Sequence, residues 1–116
     1  MIKRNGSYEL EERPQMKGGP GTVTMEKYFK KEEFGGEHVR VCSKLILPPG
    51  SGIGLHAHNG EDEVYIVLKG KGRVNDNGNI SDISVGDTVL TGRGESHSVE
   101  CIGTETLEIL ALVVTY

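Results

Sequence analysis

The sequence predicts an all-β fold, a sandwich or closed barrel of short antiparallel strands in a single domain. A chain of 116 residues is long enough for one hydrophobic core. Only 35% of the residues are hydrophobic, whereas glycine occurs 17 times, and this composition favours short strands joined by turns over a helical bundle. Strand-like segments recur at short intervals, and the one helical signal is a turn around residues 30–34.

The first two strands follow a polar N-terminal segment. Residues 1–21 are punctuated by proline and glycine, and we expect them to form an arm or loop of the same domain, with a short edge strand near Tyr8–Leu10. The first strand of the barrel is predicted at Thr22–Phe29. The second is predicted at Val39–Leu47, because apolar residues alternate along it until two prolines end it.

Seven further strands are predicted before the end of the chain, so that the barrel spans residues 22–116. Between two of them lies the turn Asp76–Asn79, whose Asn-Gly pair readily takes the positive φ that tight hairpins require. The seven strands are Ile53–His58, Glu63–Lys69, Gly72–Asn75, Ile80–Ser84, Asp87–Thr91, His97–Ile102 and Leu107–Thr115.

The last strand is apolar on both faces, which predicts that both faces are covered. In so small a domain, a second subunit is the natural cover for the outer face, and we therefore expect a homodimer. The two faces are Leu107, Ile109, Ala111 and Val113 on one side and Leu110, Leu112 and Val114 on the other.

Charge and hydropathy exclude two classes of partner. The net charge is −4 and the basic residues are scattered, so the clustered positive charge that nucleic acid requires is absent. No uninterrupted apolar span or signal-like segment occurs, so we expect a soluble cytoplasmic protein without a membrane partner. Cys42 and Cys101 are expected to be reduced, half-buried thiols, although the sequence leaves a bridge between them open.

Three histidines and one glutamate predict a metal site. His56 and His58 are two residues apart on a predicted strand, so both imidazoles point to the same face. Glu63 heads the next strand after a short turn, and His97 begins a later one. Three imidazoles and a carboxylate suit one divalent transition metal per chain, with manganese as the first choice and iron, nickel, zinc or cobalt as alternatives. A metal that prefers six ligands would keep two adjacent positions for water or a chelating substrate.

The spacing of these residues resembles the two motifs of the cupin family. The first motif is a glycine, five residues, His-x-His, three or four residues, a glutamate, six residues and a glycine. The second is a glycine, five residues, Pro-x-Gly, two residues, a histidine, three residues and an asparagine. The first is matched by Gly50, His56, His58, Glu63 and Gly70, and the second by Gly86, Gly94 and His97.

Two positions depart from the second motif, since Gly92 stands at its proline and Cys101 at its asparagine. Both are scaffold positions, so the metal site is expected to survive. The resemblance covers residues 22–115 and implies a double-stranded β-helix, the jelly-roll barrel of the cupins. It is similar to small single-domain bacterial cupins, which are often likened to oxalate decarboxylase or to sugar-phosphate isomerases.

Strand parity predicts which other side chains face the pocket. Tyr65 and Val67 follow Glu63 inward, with Tyr65 expected to be a core aromatic. Val99 and Cys101 follow His97 inward, with Cys101 expected to act as a small apolar residue near the pocket rim or in the core.

Several polar residues are weighed as helpers of the site. Glu61 and Asp62 are alternative carboxylate ligands, and Glu61 and Glu95 are the nearest candidates for a general acid, although both resemble turn residues. His38 is expected to be exposed. The cations that could grip an anionic substrate, each with a surface role as the alternative, are Arg40, Lys44, Arg73 and Arg93.

Three functions remain open at this point. The first is a metal-dependent enzyme acting on a small carboxylate, an oxalate decarboxylase or oxidase by resemblance, for which no catalytic residue is assigned. The second is a metal-dependent binding protein for an organic acid or sugar without turnover. The third is a sugar or sugar-phosphate isomerase or epimerase, which would require clustered basic residues at the pocket.

Overall fold

The computed structural model describes all 116 residues, and its regular secondary structure is almost all strand. Two short 3-10 turns, Met16–Gly18 and Lys31–Glu33, interrupt them. No helix is long and apolar enough to cross a membrane. The strands are β1 (Glu9–Pro14), β2 (Thr22–Phe29), β3 (Val39–Leu47), β4 (Gly52–Ala57), β5 (Glu61–Lys69), β6 (Lys71–Asp76), β7 (Asn79–Ser84), β8 (Thr88–Thr91), β9 (Ser96–Cys101) and β10 (Leu107–Thr115).

The strands form two antiparallel sheets that enclose the core. One sheet has six strands in the order β1-β2-β3-β10-β5-β8, and the other has four in the order β4-β9-β6-β7. Alternate residues of the strands point inward, and the apolar ones among them form the core between the sheets. The core includes Val23, Leu45, Leu47, Ile53, Val67, Val74, Val99, Leu107 and Ile109, each at most 2% exposed. The predicted all-β barrel is confirmed.

The predicted strands agree closely with the observed ones. β2, β3 and β10 have the predicted limits, and the strands between them differ by one or two residues at their ends. β1 is longer than the predicted edge strand, because it pairs with β2 from Glu9 opposite Lys27 to Pro14 opposite Thr22. Its sequence is polar and its pairing uses backbone groups, so no apolar stripe marks it.

The hairpin and the last strand also follow the sequence. Asn77 and Gly78 have φ of 49° and 97°, as a turn with two left-handed residues requires. In β10 the inward residues are buried and the outward apolar residues are half-buried. The inward residues are Leu107, Ile109, Ala111 and Val113, and the outward ones are Leu110, Leu112 and Val114.

The two cysteines are free thiols. Cys42 pairs in register with Leu112 on the outer face of the large sheet, and Cys101 is buried in the core. The two side chains therefore lie on different sides of the sheet, and the bridge that the sequence left open does not form.

Candidate metal centre

The four predicted ligands come together at one end of the barrel. His56 on β4 lies opposite His97 on β9, and Glu63 on β5 lies opposite Thr91 on β8. His58 follows the end of β4, but its backbone N–H still donates to the carbonyl of Glu95 at 3.0 Å, so its side chain keeps the inward direction of His56. The ligand atoms of all four residues lie within 4.8 Å of one another.

Four of the six distances between these atoms are close to 3 Å. His97 Nε2 lies 3.0 Å from His58 Nε2 and 3.1 Å from His56 Nε2. Glu63 Oε1 lies 2.9 Å from the Nε2 atoms of both His58 and His97. Two ligand atoms at right angles on an ion with bonds of about 2.1 Å are about 3.0 Å apart, against about 3.4 Å on a tetrahedral ion. These four contacts fit neighbouring positions on a six-coordinate ion.

The Nδ1 atoms of the three imidazoles point away from this centre and contact other polar groups. His56 Nδ1–H donates to the carbonyl of Gly54 at 2.7 Å, and His58 Nδ1–H donates to Glu61 Oε1 at 2.8 Å. Both partners accept only, so the proton is fixed on Nδ1 and the Nε2 lone pair faces inward. His97 Nδ1 lies 2.9 Å from the hydroxyl of Thr91, which is fully buried.

Glu63 is the strongest sign that a cation belongs here. The residue is only 7% exposed, and its Oε1 atom is buried without a hydrogen-bond donor once the imidazole protons are on Nδ1. A buried carboxylate oxygen left unpaired is costly, and a metal ion would satisfy it together with three Nε2 lone pairs. The residues present therefore fit one divalent metal.

The pKa values describe the competition between protons and such an ion. Burial alone would raise the pKa of Glu63, but the facing imidazoles of His58 and His97 lower it to about 2. The carboxylate of Glu63 in turn raises the pKa of His58, against the effect of burial. Burial lowers the pKa of His56. The ion would take the place of the proton that Glu63 attracts to His58.

A cavity of about 140 Å³ adjoins three of the four ligands, His56, His58 and Glu63. Tyr65 forms one wall and stacks on His97 with ring centroids 4.9 Å apart, and at 2% exposure it is the core aromatic that parity predicts. Burial raises the pKa of its hydroxyl well above the ordinary range, so it stays protonated. The N-terminal segment supplies a second wall, with Arg13, Met16 and Lys17.

The carboxylates near the motif have separate roles. Glu61 is the first residue of β5 and therefore is not a turn residue. Its carboxylate accepts hydrogen bonds from His58 Nδ1 and from two nitrogens of Arg40, at 2.8 Å each. The hydroxyl of Tyr116 donates to Asp62 at 3.3 Å. Glu95 contacts the site through its backbone carbonyl.

Of the four predicted cations, only Arg40 reaches the cavity. Lys44 pairs with Glu26 and Glu108, and Arg73 pairs with Asp82. Arg93 is exposed at a turn, and His38 is exposed as predicted.

The two departures from the cupin motif have structural explanations. A Cβ atom on Gly92 would collide with the carboxylate of Asp62. In this chain, the Asp62 side chain therefore occupies the space that a proline ring at position 92 would take. Cys101 is a buried core residue whose thiol donates to the carbonyl of Glu105 at 3.2 Å. It lies outside the metal cavity.

The sequence did not reveal four contributors to the site. Thr91 contacts His97, six residues later, and the carbonyl of Gly54 contacts His56 within an irregular part of β4, and neither Thr91 nor Gly54 is a fixed position of the motifs. Arg13 and Lys17 lie in the segment predicted to be an arm. The β1–β2 pairing brings Arg13 to the cavity, and the packing of the following loop on β4 brings Lys17 there.

Comparison with known proteins places these observations in a family. A family model described as a cupin domain matches residues 43–114. An oxalate-binding protein from Thermotoga maritima is 40% identical over 114 residues, which cover 98% of this chain and 93% of the relative. A crystal structure from Thermotoga maritima, described as a predicted oxalate decarboxylase, superposes with a TM-score of 0.95 at 40% identity over 100% of both chains. An RmlC-like cupin from Shewanella frigidimarina shares the fold at 19% identity, with a TM-score of 0.73 over 99% of this chain and 90% of that one.

Proposed function

Because the chain belongs to the cupin family, we propose that it is a metal-dependent binding protein for a small dicarboxylate of the oxalate type. The observation that carries this proposal is the set of three inward Nε2 lone pairs around an unpaired, buried carboxylate oxygen. The holding residues would be His56, His58, Glu63 and His97. When bound, the metal would act as a Lewis acid that accepts two oxygens of a chelating ligand.

Manganese is the metal that we propose first. The spacing of about 3.0 Å between ligand atoms suits a six-coordinate ion better than tetrahedral zinc. Iron, cobalt and nickel accept the same three nitrogens and one oxygen, and availability decides between such metals.

The size and charge of the cavity support a small anionic ligand. Its volume of about 140 Å³ is below the roughly 300–1,000 Å³ typical of pockets for larger ligands. Three cations, Arg13, Lys17 and Arg40, line it. The Thermotoga relative is named an oxalate-binding protein, which agrees with this chemistry.

The side chains around the cavity favour binding over turnover. Decarboxylation requires a proton donor beside the substrate, but Glu61 is held by His58 and Arg40, and its pKa is lowered chiefly by its hydrogen bonds with Arg40. Oxalate decarboxylation or oxidation is the second candidate, favoured by the description of the superposed Thermotoga structure. A sugar phosphate is less suited to this volume.

Calorimetry combined with a product assay tests the proposal. Manganese-loaded protein should bind about one oxalate per chain, and neither the metal-free protein nor the folded variant His58→Ala should bind it. Incubation with oxalate under air should yield no carbon dioxide, formate or peroxide beyond a protein-free control. Equal oxalate binding with and without metal would overturn the proposal, and metal-dependent product formation would replace it with the enzymatic candidate.

We also propose that the protein is a cytoplasmic homodimer. The outer face of the six-stranded sheet carries a row of half-buried or exposed apolar residues, and a second copy would cover it. The free thiols of Cys42 and Cys101 are compatible with a reducing compartment. The row comprises Val64, Ile66, Leu90, Leu110, Leu112 and Val114.

A further inference from the structure

We propose that Arg13 and Lys17 form an anion-binding rim that receives the outward oxygens of the metal-bound dicarboxylate. The rim would make the N-terminal segment the part of the chain that selects ligands by charge. This inference rests on the proposed function, because it concerns the same cavity. Both residues line that cavity together with His56, His58 and Glu63.

Arg13 has hydrogen-bond donors to spare. Its guanidinium lies 3.5 Å from Glu11 and 3.8 Å from the sulfur of Met25, and thioether sulfur is a weak acceptor. A guanidinium carries five N–H donors in a planar fork that matches a carboxylate. Arg13 is half-buried on β1, directly opposite the fully buried Val23, so its position is set by the sheet.

Lys17 is held at the cavity by an unusual loop. Gln15 and Lys17 both adopt left-handed backbone angles, with φ of 49° and 53°, which non-glycine residues rarely do. Such conformations persist where the surroundings impose them, and they occur often at binding sites. Here Gln15 N–H donates to the carbonyl of Gly21 at 2.8 Å, and Gly52 N–H donates to that of Pro20 at 2.9 Å.

The loop is pressed against the strand that carries His56. A Cβ atom on Gly54 would collide with the carbonyl of Lys17, so the two backbones approach as closely as glycine allows. The loop and the metal site are thereby fixed to one another. Lys17 itself is exposed and pairs with no carboxylate.

The charges at the cavity leave these two cations for a ligand. Arg40, the third cation, makes a two-pronged ion pair with Glu61 and is neutralised by it. Glu63 would be neutralised by the metal. A dianion at the metal would therefore face two positive charges, those of Arg13 and Lys17. Glu11 partly compensates the charge of Arg13, whereas no carboxylate pairs with Lys17.

The variants Arg13→Gln and Lys17→Gln, each loaded with manganese, test this rim by calorimetric titration with oxalate and with glycolate. Each variant should keep about one metal per chain and weaken oxalate binding about tenfold, the loss expected for one charge-assisted hydrogen bond. Glycolate has one carboxylate, so its affinity should fall less and the oxalate preference should shrink. Lys31→Gln is the matched control, since Lys31 lines a neighbouring cavity and not this one, and it should bind oxalate within about twofold of the unmodified protein.

The outcomes separate this inference from the proposed function. If the unmodified protein binds oxalate and neither Arg13→Gln nor Lys17→Gln weakens that binding, the rim is overturned but the proposed function is not. Equal losses of affinity for oxalate and glycolate would also overturn it, because the rim would then make no contact specific to the second carboxylate. Absence of oxalate binding to the unmodified metal-loaded protein would overturn the proposed function and the rim with it.

Discussion

Each histidine of the candidate site is oriented by a partner on its Nδ1 atom. For His56 the partner is a backbone carbonyl, and for His58 it is the carboxylate of Glu61. Such partners fix the ring and raise the basicity of the metal-facing nitrogen. Glu61 is in turn held by Arg40, so a chain of three side chains leads from the protein surface to the metal centre.

Glu61→Gln should therefore weaken the metal site without removing a ligand. A glutamine in this place loses the charged acceptor for His58 Nδ1–H, and we expect manganese affinity to fall about 10–100-fold. The measurement is a competition titration with a chelator. Glu95→Gln is the control, since Glu95 meets His58 through its backbone, and its affinity should be unchanged. Equal affinities for the two variants would contradict the role of Glu61.

Metal affinity should fall as the pH is lowered. His58 has a raised pKa because Glu63 stabilises its protonated ring, so protons begin to compete with the metal at a higher pH than for a free imidazole. Metal binding should release protons, and the affinity should increase with pH until His58 is neutral. Titrations in two buffers of different ionisation enthalpy measure this release. Binding without proton release near pH 6 would contradict the expected sign.

At the scale of the elements, alternation predicted the strands that have one buried face. β3 was predicted from this alternation and β10 from its apolar residues on both faces, and the limits of both were predicted correctly. β1 is a polar edge strand held by backbone pairing, so its length could not be read from hydropathy. The cupin motif identified the four residues that converge, but the partners of their outer nitrogens are nearby groups that the motif does not specify, the carbonyl of Gly54 and the side chains of Glu61 and Thr91. The division at residue 21 stays a prediction.

Gly54 is the contact point between the N-terminal loop and β4, and Gly54→Ala should show its importance. The added Cβ would collide with the carbonyl of Lys17, and overpacking of this kind costs about 1–3 kcal/mol. The free energy of unfolding from urea titration should decrease by that amount. Gly35→Ala, which meets nothing within 4 Å, should change it by less than about 0.5 kcal/mol. Equal stabilities would show that the loop can move away.

For the whole molecule, the large sheet leaves its outer apolar row without cover from this chain. If a second copy covers it, sedimentation should give twice the mass of 12.6 kDa. Leu112→Lys would place a charge at the centre of the row and should yield a folded monomer. Leu55→Lys, at an exposed leucine on the other sheet, should remain a dimer. A monomeric unmodified protein would contradict the proposed assembly.

The central claim is that His56, His58, Glu63 and His97 hold one divalent transition metal. The most direct measurement is an anomalous difference map from crystals grown with manganese, recorded above its absorption edge. We predict one strong peak per chain, with the three Nε2 atoms and a Glu63 oxygen at about 2.0–2.2 Å. A map with no peak between these four side chains, or with the strong peak elsewhere, would contradict the account.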